Sequence, residues 1–272
     1  MDFKVVKKEL INKLSKNVDN ANQEFAFLCQ AKLGLSGADL IIKEEINKKD
    51  YLVLKKAVKK RLKGIPLQLI IGTSDFLGVE IIESKHALKP RPETMLLAEH
   101  IINNVPMDRS VLDMCTGSGC IGLALKKAGF EEVTLSDISC KAIKCALRNA
   151  KHNGLSVTLV KSDMFKEIVG VYDIITINPP YIESADIKTL QKEVKKYDPM
   201  KALDGGADGL KFYRIIADNA HKYLTDKGLL YLEIGINQEK DIINLLEKNF
   251  KNITIIKDYN NINRIIRAEK WF

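Results

Sequence analysis

Val111-Leu112-Asp113-Met114-Cys115-Thr116-Gly117-Ser118-Gly119-Cys120 decides the fold. Its first half is a short apolar run suited to the interior of a sheet, its second half is a Gly-rich turn, and helical spacing continues from Cys120 to Ala128. The unit reads as strand, turn, helix. It then repeats outward: Val133–Asp137 is a second strand, followed by a helix over 139–150, and Val157–Lys161 is a third. Tyr172–Ile177 is a fourth and Gly228–Gly235 a fifth, while Ile253–Ile256 and Arg264–Ala268 suit a closing antiparallel pair. Alternation of this kind predicts an α/β fold with a parallel sheet and helices on both faces.

Gly117, Gly119 and Gly122 satisfy G-x-G-x-x-G, and Asp137 ends the second strand twenty residues after Gly117. Glycines let a backbone approach a ligand, and the acid accepts hydrogen bonds from ribose hydroxyls. Alone, the pattern serves NAD and S-adenosylmethionine equally. Asp113 favours the second: a carboxylate just before the loop repels a pyrophosphate and suits an ammonium group. After the third strand, Asp163 is placed to accept from an adenine amino group, with Met164 or Phe165 against the ring. A helix N-cap explains Asp163 equally well.

The fourth strand stops at Asn178-Pro179-Pro180-Tyr181. In open α/β sheets, ligands bind at the carboxyl ends of strands. Two prolines stiffen the turn, so that the Asn178 amide oxygen and the Pro179 carbonyl can both accept from one planar –NH2 group, with Tyr181 packed on it. Hydride transfer has no use for such an element.

The rest of the chain sets limits. The 272 residues suffice for a large domain and a smaller one. Residues 1–72 carry helical spacing (Val5, Leu10, Leu14, then Phe25, Phe27, Leu28, Ala31), and Leu54, Val58 and Leu62 form the apolar stripe of a Lys-rich helix. They hold 15 Lys and Arg against 8 Asp and Glu, whereas the remainder holds 28 against 27, so the basic excess is local. It suits an acidic partner or nucleic acid, or simply a solvated helix face. Gly64–Gly72 and Phe76–Ile81 are expected to be extended pieces of a β-hairpin linker, before Lys89-Pro90-Arg91-Pro92-Glu93-Thr94 opens a helix. The expected division is a helical docking domain over 1–72, a linker over 73–91, and a Rossmann-like domain over 92–272.

No apolar run approaches a membrane span, and Met1-Asp2-Phe3-Lys4 starts no secretory leader. Five cysteines without a C-x-x-C pair fit a reducing compartment, so a cytoplasmic location is expected. Their spacing suits neither zinc nor iron–sulfur, and no metal is expected.

Arg91-Pro92-Glu93-Thr94, Asp113-x-x-Thr116-Gly117-Ser118-Gly119, Asp137-Ile138-Ser139, Asn178-Pro179-Pro180-Tyr181-Ile182, Ala202–Leu210 and Glu233-Ile234-Gly235-x-x-Gln238 occur together and in order. The chain resembles, end to end, the bacterial methyltransferases that modify the glutamine of the Gly-Gly-Gln motif in peptide chain release factors. The resemblance implies a Rossmann-like, S-adenosyl-L-methionine-dependent enzyme with a small N-terminal helical domain, leaving S-adenosyl-L-homocysteine as product. It extends cofactor contacts over Asp113, Cys115, Thr116, Gly117, Ser118, Gly119, Asp137, Ile138, Asp163, Met164 and Asn178. It also places Phe76, Arg91, Glu93 and Thr94 beside Asn178, Pro179, Pro180 and Tyr181 on the substrate side. A monomer acting on a protein, with no membrane, is expected. A nucleic-acid amino methyltransferase, which would use the same tetrapeptide, is the alternative. Three departures stand out: Met95 replaces a usual Glu, Met114-Cys115 replaces Leu-Gly, and Asp198-Pro199-Met200 replaces Glu-Pro-Arg.

Overall fold

A computed structural model describes residues 1–271. The chain forms two compact units, Met1–Thr73 together with Lys192–Tyr197, and Ser74–Gln191 continued from Asp198 onward.

The first unit is helical: α1 (Phe3–Leu14), α2 (Ala21–Leu33), α3 (Asp39–Ile42), α4 (Lys48–Leu62) and α5 (Leu67–Ile71). Asp2 caps α1 through Val5 N at 3.0 Å, and Asn47 caps α4 through Asp50 N at 2.8 Å. Phe3, Val6, Leu10 and Leu14 of α1 pack on Phe25 and Leu28 of α2 and Leu54 and Val58 of α4. Val5 and Phe27, read from sequence as part of the apolar stripe, are instead exposed. At about 100° per residue, Val5 lies roughly 140° from Leu10, whereas Val6 lies only about 40° from it. The lysines of α4, from Lys55 to Lys60, are on the wet side. The stretch 64–72, expected to be extended, holds the helical turn α5, started by Pro66 and stopped by Gly72 at φ 99°.

A hairpin follows, β1 (Thr73–Phe76) and β2 (Val79–Ile82), in the second unit from Ser74 on and turned by Leu77 and Gly78, both at positive φ. That pair of left-handed residues matches the twist of a tight hairpin. In order there follow α6 (Pro92–Asn104), β3 (Val111–Met114), α7 (Cys120–Ala128), β4 (Val133–Asp137), α8 (Cys140–His152), β5 (Thr158–Lys161), β6 (Tyr172–Ile177), α9 (Lys192–Tyr197, part of the first unit), α10 (Lys211–Asn219), β7 (Leu224–Glu233), α11 (Glu239–Leu246), β8 (Phe250–Lys257) and β9 (Asn263–Lys270).

The main sheet runs β5-β4-β3-β6-β7-β9-β8, parallel through β7, with β9 and β8 antiparallel. The expected Rossmann-like sheet, with its closing antiparallel pair, is therefore present. Alternation along each strand divides the core. Val111, Leu135 and Ile174 face α6, α7, α8 and the hairpin, while Leu112, Met114, Ile175 and Leu232 face α10 and α11. Strand order reverses between β3 and β6, where Met114 pairs with Ile177. Ile177 pairs in turn with Leu232 of β7. The register therefore sets Cys115, Asn178 and Glu233 side by side at the carboxyl edge, the place where such sheets bind ligands.

Candidate active site

The loop after β3 is held by its own neighbourhood. Thr116 N donates to Ser136 O on β4 at 3.0 Å, and Gly119 N closes the turn on Thr116 O at 2.8 Å. Cys115, Gly117 and Gly119 all have positive φ, at 55°, 57° and 85°, so the chain coils tightly before α7. Gly122 is required for a different reason. A Cβ there would lie 2.1 Å from Leu135 Cδ2 and 3.1 Å from Asp113 Oδ2, because α7 rests directly on the sheet.

Asp113 is fully buried. Its Oδ2 accepts from Thr116 Oγ1 at 2.6 Å and Gly122 N at 3.0 Å, while Oδ1 is buried without a partner. Burial pushes its carboxyl up to about 7, against the pull of those two donors. Asp137 Oδ2 accepts from Gly117 N at 3.0 Å and Oδ1 from Ser139 N at 2.8 Å, and burial raises this carboxyl too. Each oxygen keeps a lone pair for a ligand hydroxyl. Asn149 has no sequence signal but ties the loop down from α8, donating to Ser118 O at 2.8 Å and accepting from Ile82 N at 3.0 Å.

The other expected cofactor contacts are less uniform. Ile138 is exposed beside Asp137. Asp163 pairs with Lys166, and it is Ser162 Oγ, not Asp163, that accepts from Glu167 N at 3.1 Å. Met164, at φ 52°, is buried, and Phe165 stacks on Tyr223 in the core with ring centroids 5.0 Å apart. Burial pushes the Cys120 thiol up to about 12 and raises Cys115 further, so both stay protonated at neutral pH.

The turn after β6 is held by distant groups. Asn178 Nδ2 donates to Thr94 Oγ1 at 3.3 Å, and Thr94 Oγ1 donates to Glu233 Oε2 at 2.7 Å. Pro179 and Pro180 are buried. Tyr181 O accepts from Gln238 Nε2 at 3.0 Å, whose Oε1 takes Gly235 N at 3.0 Å. A Cβ on Gly205 would meet Tyr181 Cα at 2.7 Å, and one on Gly209 would meet Tyr181 O at 2.5 Å. The 202–210 block is thus a brace against the Tyr181 backbone. Burial pushes the Tyr181 hydroxyl up to about 12 and the Glu233 carboxyl up to about 7, the latter despite the Thr94 hydrogen bond.

The Arg91–Thr94 block splits. Arg91 pairs with Asp198 at 3.1 Å, buried Lys89 pairs with the same carboxylate, and Glu93 lies 4.0 Å from Arg264. Thr94 is buried and meets Asn178 rather than the surface. Phe76, expected to face substrate, has no exposed surface: it is the inward residue at the end of β1 and packs in the core with Val79 and Ile81. Met200 is exposed, and Met95 packs at the edge of the core. Glu233, Gln238, Gly205 and Gly209 stood in the quoted motifs without a role. Their spacing in sequence gives no sign that they converge on one turn.

Residues 7–72 match the family described as PrmC N-terminal domain, and residues 90–196 match Methyltransferase small domain. A methyltransferase from Pyrococcus furiosus has the same fold, with TM-score 0.56 and 19% identity over 72% of this chain and 90% of that one. The release factor glutamine methyltransferase of Geobacter sulfurreducens is 37% identical over 92% of this chain and 90% of that protein. That of Thermodesulfovibrio yellowstonii is 38% identical over 97% of this chain and 96% of its own length. With likeness of this degree running through both units, and with a glycine loop and an Asn-Pro-Pro-Tyr turn meeting at the switch point of its sheet, the chain belongs to the release factor glutamine methyltransferase family.

Proposed function

We propose that Asn178 receives the side-chain amide of the glutamine in the Gly-Gly-Gln motif of a peptide chain release factor, whose amide nitrogen the enzyme methylates. One observation carries the reading. At the carboxyl edge of the sheet, the Asn178 amide has its –NH2 end engaged by Thr94, which leaves its oxygen as an acceptor. That oxygen and the Pro179 carbonyl take the two N–H bonds of the substrate amide, and Tyr181 packs on its plane. An amide nitrogen is a weak nucleophile because its lone pair is delocalised into the carbonyl. Two fixed acceptors draw density back toward nitrogen and fix its direction, which is catalysis by orientation and placed dipoles. No side chain needs to titrate for this, since the proton can leave after attack.

When bound, S-adenosyl-L-methionine supplies an electrophilic methyl group on a cationic sulfur, with S-adenosyl-L-homocysteine as product. The residues of the β3 loop fit it. The partnerless buried Oδ1 of Asp113 suits an ammonium group or its water, and the remaining lone pairs of Asp137 suit ribose hydroxyls. Thr116, Gly117, Ser118 and Gly119 would line the approach, and Ile138, Asp163 and Met164 would border the base. Arg91 and Glu93, part-exposed, would meet the protein substrate.

The helical unit would dock the release factor. An open groove of about 430 Å³ lined by Lys4, Lys7, Lys8, Ile11, Leu40 and Ile41 suits a segment that is both acidic and apolar. No described helix is long and apolar enough to cross a membrane. We assign the enzyme to the cytoplasm as a monomer, with no nucleic-acid partner.

The test supplies labelled S-adenosyl-L-methionine with a release factor, the same factor with its Gly-Gly-Gln glutamine changed, and mixed DNA and RNA. Label is expected on the intact factor alone and is expected to fall about a hundredfold or more with Asn178→Ala. Label on nucleic acid, with the factor untouched, would overturn the reading.

A further inference from the structure

We infer that Glu233, acting through the Thr94 hydroxyl and by its own hydrogen bond to the Asn178 amide, decides which end of that amide faces the substrate; this rests on the role given to Asn178 above. An asparagine amide has two ends of nearly equal size, and only its hydrogen-bond partners fix which is which. Turned the wrong way, Asn178 would present two donors to a substrate –NH2 group that needs an acceptor.

The structure holds a chain of three groups. Thr94 has one hydroxyl hydrogen, and it is spent on Glu233 Oε2 at 2.7 Å. In its ionised form the Glu233 carboxylate only accepts, and it is this form that sets the direction. The Thr94 oxygen then offers Asn178 nothing but lone pairs. Asn178 answers with its –NH2 end, at 3.3 Å from Thr94 and also hydrogen-bonded to the Glu233 carboxylate itself, so its oxygen is left pointing away from both. Each link has a single sense, and the sense originates at Glu233.

Burial makes the arrangement deliberate. Glu233 is 3% exposed and Thr94 3% exposed, and no Lys or Arg forms a salt bridge with Glu233 among the described residues. Arg264, the cation in its vicinity, is engaged by Asp258 at 3.0 Å and lies 4.0 Å from Glu93. A carboxylate withdrawn from water without an ion-pair partner is costly, and a Leu or Met would fill the space more cheaply. The strand register explains why it is there. Ile177 pairs with Leu232, so Glu233, the last residue of β7, is level with Asn178. Tyr213 OH clamps the Glu233 carbonyl at 2.8 Å, which fixes the backbone from which the side chain reaches Thr94. Glu233 and Thr94 are therefore positioning residues. Neither needs to touch the substrate.

The experiment measures steady-state methylation of a release factor by the full chain and by Glu233→Gln, Thr94→Val, Thr94→Ser, Asn178→Ala and the Glu233→Gln/Asn178→Ala double variant, with cofactor affinity and melting temperature alongside. Glutamine fills the same volume but can donate to the Thr94 oxygen, which sends the Thr94 hydrogen toward Asn178 and turns the amide over. Glu233→Gln and Thr94→Val are expected to lower kcat roughly thirtyfold to a hundredfold, with KM for the factor and cofactor affinity within about twofold of the parent. Thr94→Ser, which keeps the hydroxyl, is expected to retain most of kcat. Adding Asn178→Ala to Glu233→Gln is expected to cost under about threefold, far less than in the parent, because the oriented amide is already lost.

Glu233→Gln at full kcat, or an Asn178→Ala loss of equal size in both backgrounds, would overturn the inference while leaving the Asn178 reading intact. A parent enzyme indifferent to Asn178→Ala would sink that reading, and this inference with it.

Discussion

The loop after β3 and the turn after β6 sit side by side at the sheet's switch point, but they are held by different means. Asp113 reaches Thr116 and Gly122, three and nine residues away; Asp137 reaches Gly117, twenty away; Asn149 reaches Ser118, 31 away. The turn at Asn178 is held by Thr94 across 84 residues, and Thr94 by Glu233 across 139, while Gln238 reaches Tyr181 across 57. The first is built by one strand–loop–helix unit and its neighbour. The second exists only when the whole sheet has closed around it. A motif that binds a common ligand can be self-contained, whereas a turn that must aim two acceptors at one nitrogen takes its accuracy from the rest of the molecule.

The two regions share one electrostatic feature, a buried acid pushed up to about 7, and its removal gives the largest expected effect. Asp113 is raised by burial above an unfolded value near 3.8. A carboxyl raised in this way favours the folded state fully below its unfolded pKa, and the contribution is lost as pH rises through the folded one. Relative to Asp113→Asn, the parent should lose on the order of 4 kcal/mol of stability between pH 4 and pH 8, at up to about 1.4 kcal/mol per pH unit. Denaturant titrations of both proteins across that window measure the difference. Comparison with the variant is essential, because Asp208, lowered to about 2 chiefly by Arg214, and Asp258, lowered chiefly by the Ile262 amide, change stability in the opposite sense. A gap that stays constant with pH would show Asp113 to be ionised in the fold at all these pH values.

The same contrast explains what the sequence discloses. The alternation of strands and helices and the glycine loop are legible because their causes lie within a few turns of chain: Asp113, Gly117, Gly122 and Asp137 announce each other by spacing. Val5 was misplaced because a three-to-four residue count drifts off the helix face, and Phe76 because burial of a hairpin residue depends on what packs over it. Thr94, Glu233 and Gln238 stand in the quoted motifs, but nothing local shows that they converge on one turn. What unites them is strand register, which brings Asn178 level with Glu233, and no window of sequence contains it.

Glycines at each region separate the two modes further. Gly205 has an ordinary backbone conformation, so alanine there tests space alone, and its Cβ would lie 2.7 Å from Tyr181 Cα. Backbone cannot swing aside as a side-chain tip can. Gly205→Ala should therefore shift the turn and lower kcat roughly a hundredfold, with cofactor affinity within about threefold of the parent. Gly122→Ala should do the reverse. Its Cβ meets the movable end of Leu135, so the expected outcome is a stability loss of about 1–3 kcal/mol together with weaker cofactor binding. Equal effects of the two on cofactor affinity would mean that loop and turn move as one body.

Gln238 gives the smallest effect and the finest test. Its amide spans two backbone groups, taking Gly235 N with its oxygen and giving its –NH2 to Tyr181 O, so one side chain joins the end of β7 to the last residue of the turn. Truncation to alanine leaves a part-buried donor and acceptor to find water, a loss of about 1 kcal/mol. The main support of the turn persists, since Gly205 and Gly209 still pack on Tyr181 and Ile182 still pairs with Leu203 at 3.0 Å. Gln238→Ala should thus raise KM for the factor several-fold and change kcat less, as Tyr181 loosens while Asn178 stays held by Thr94. Gln238→Glu keeps the oxygen for Gly235 but turns a second acceptor on Tyr181 O, so it should exceed the alanine change. If Gln238→Ala instead lowers kcat as far as Glu233→Gln does, Tyr181 and Asn178 share a single support, and the turn is one rigid piece rather than two independently held ends.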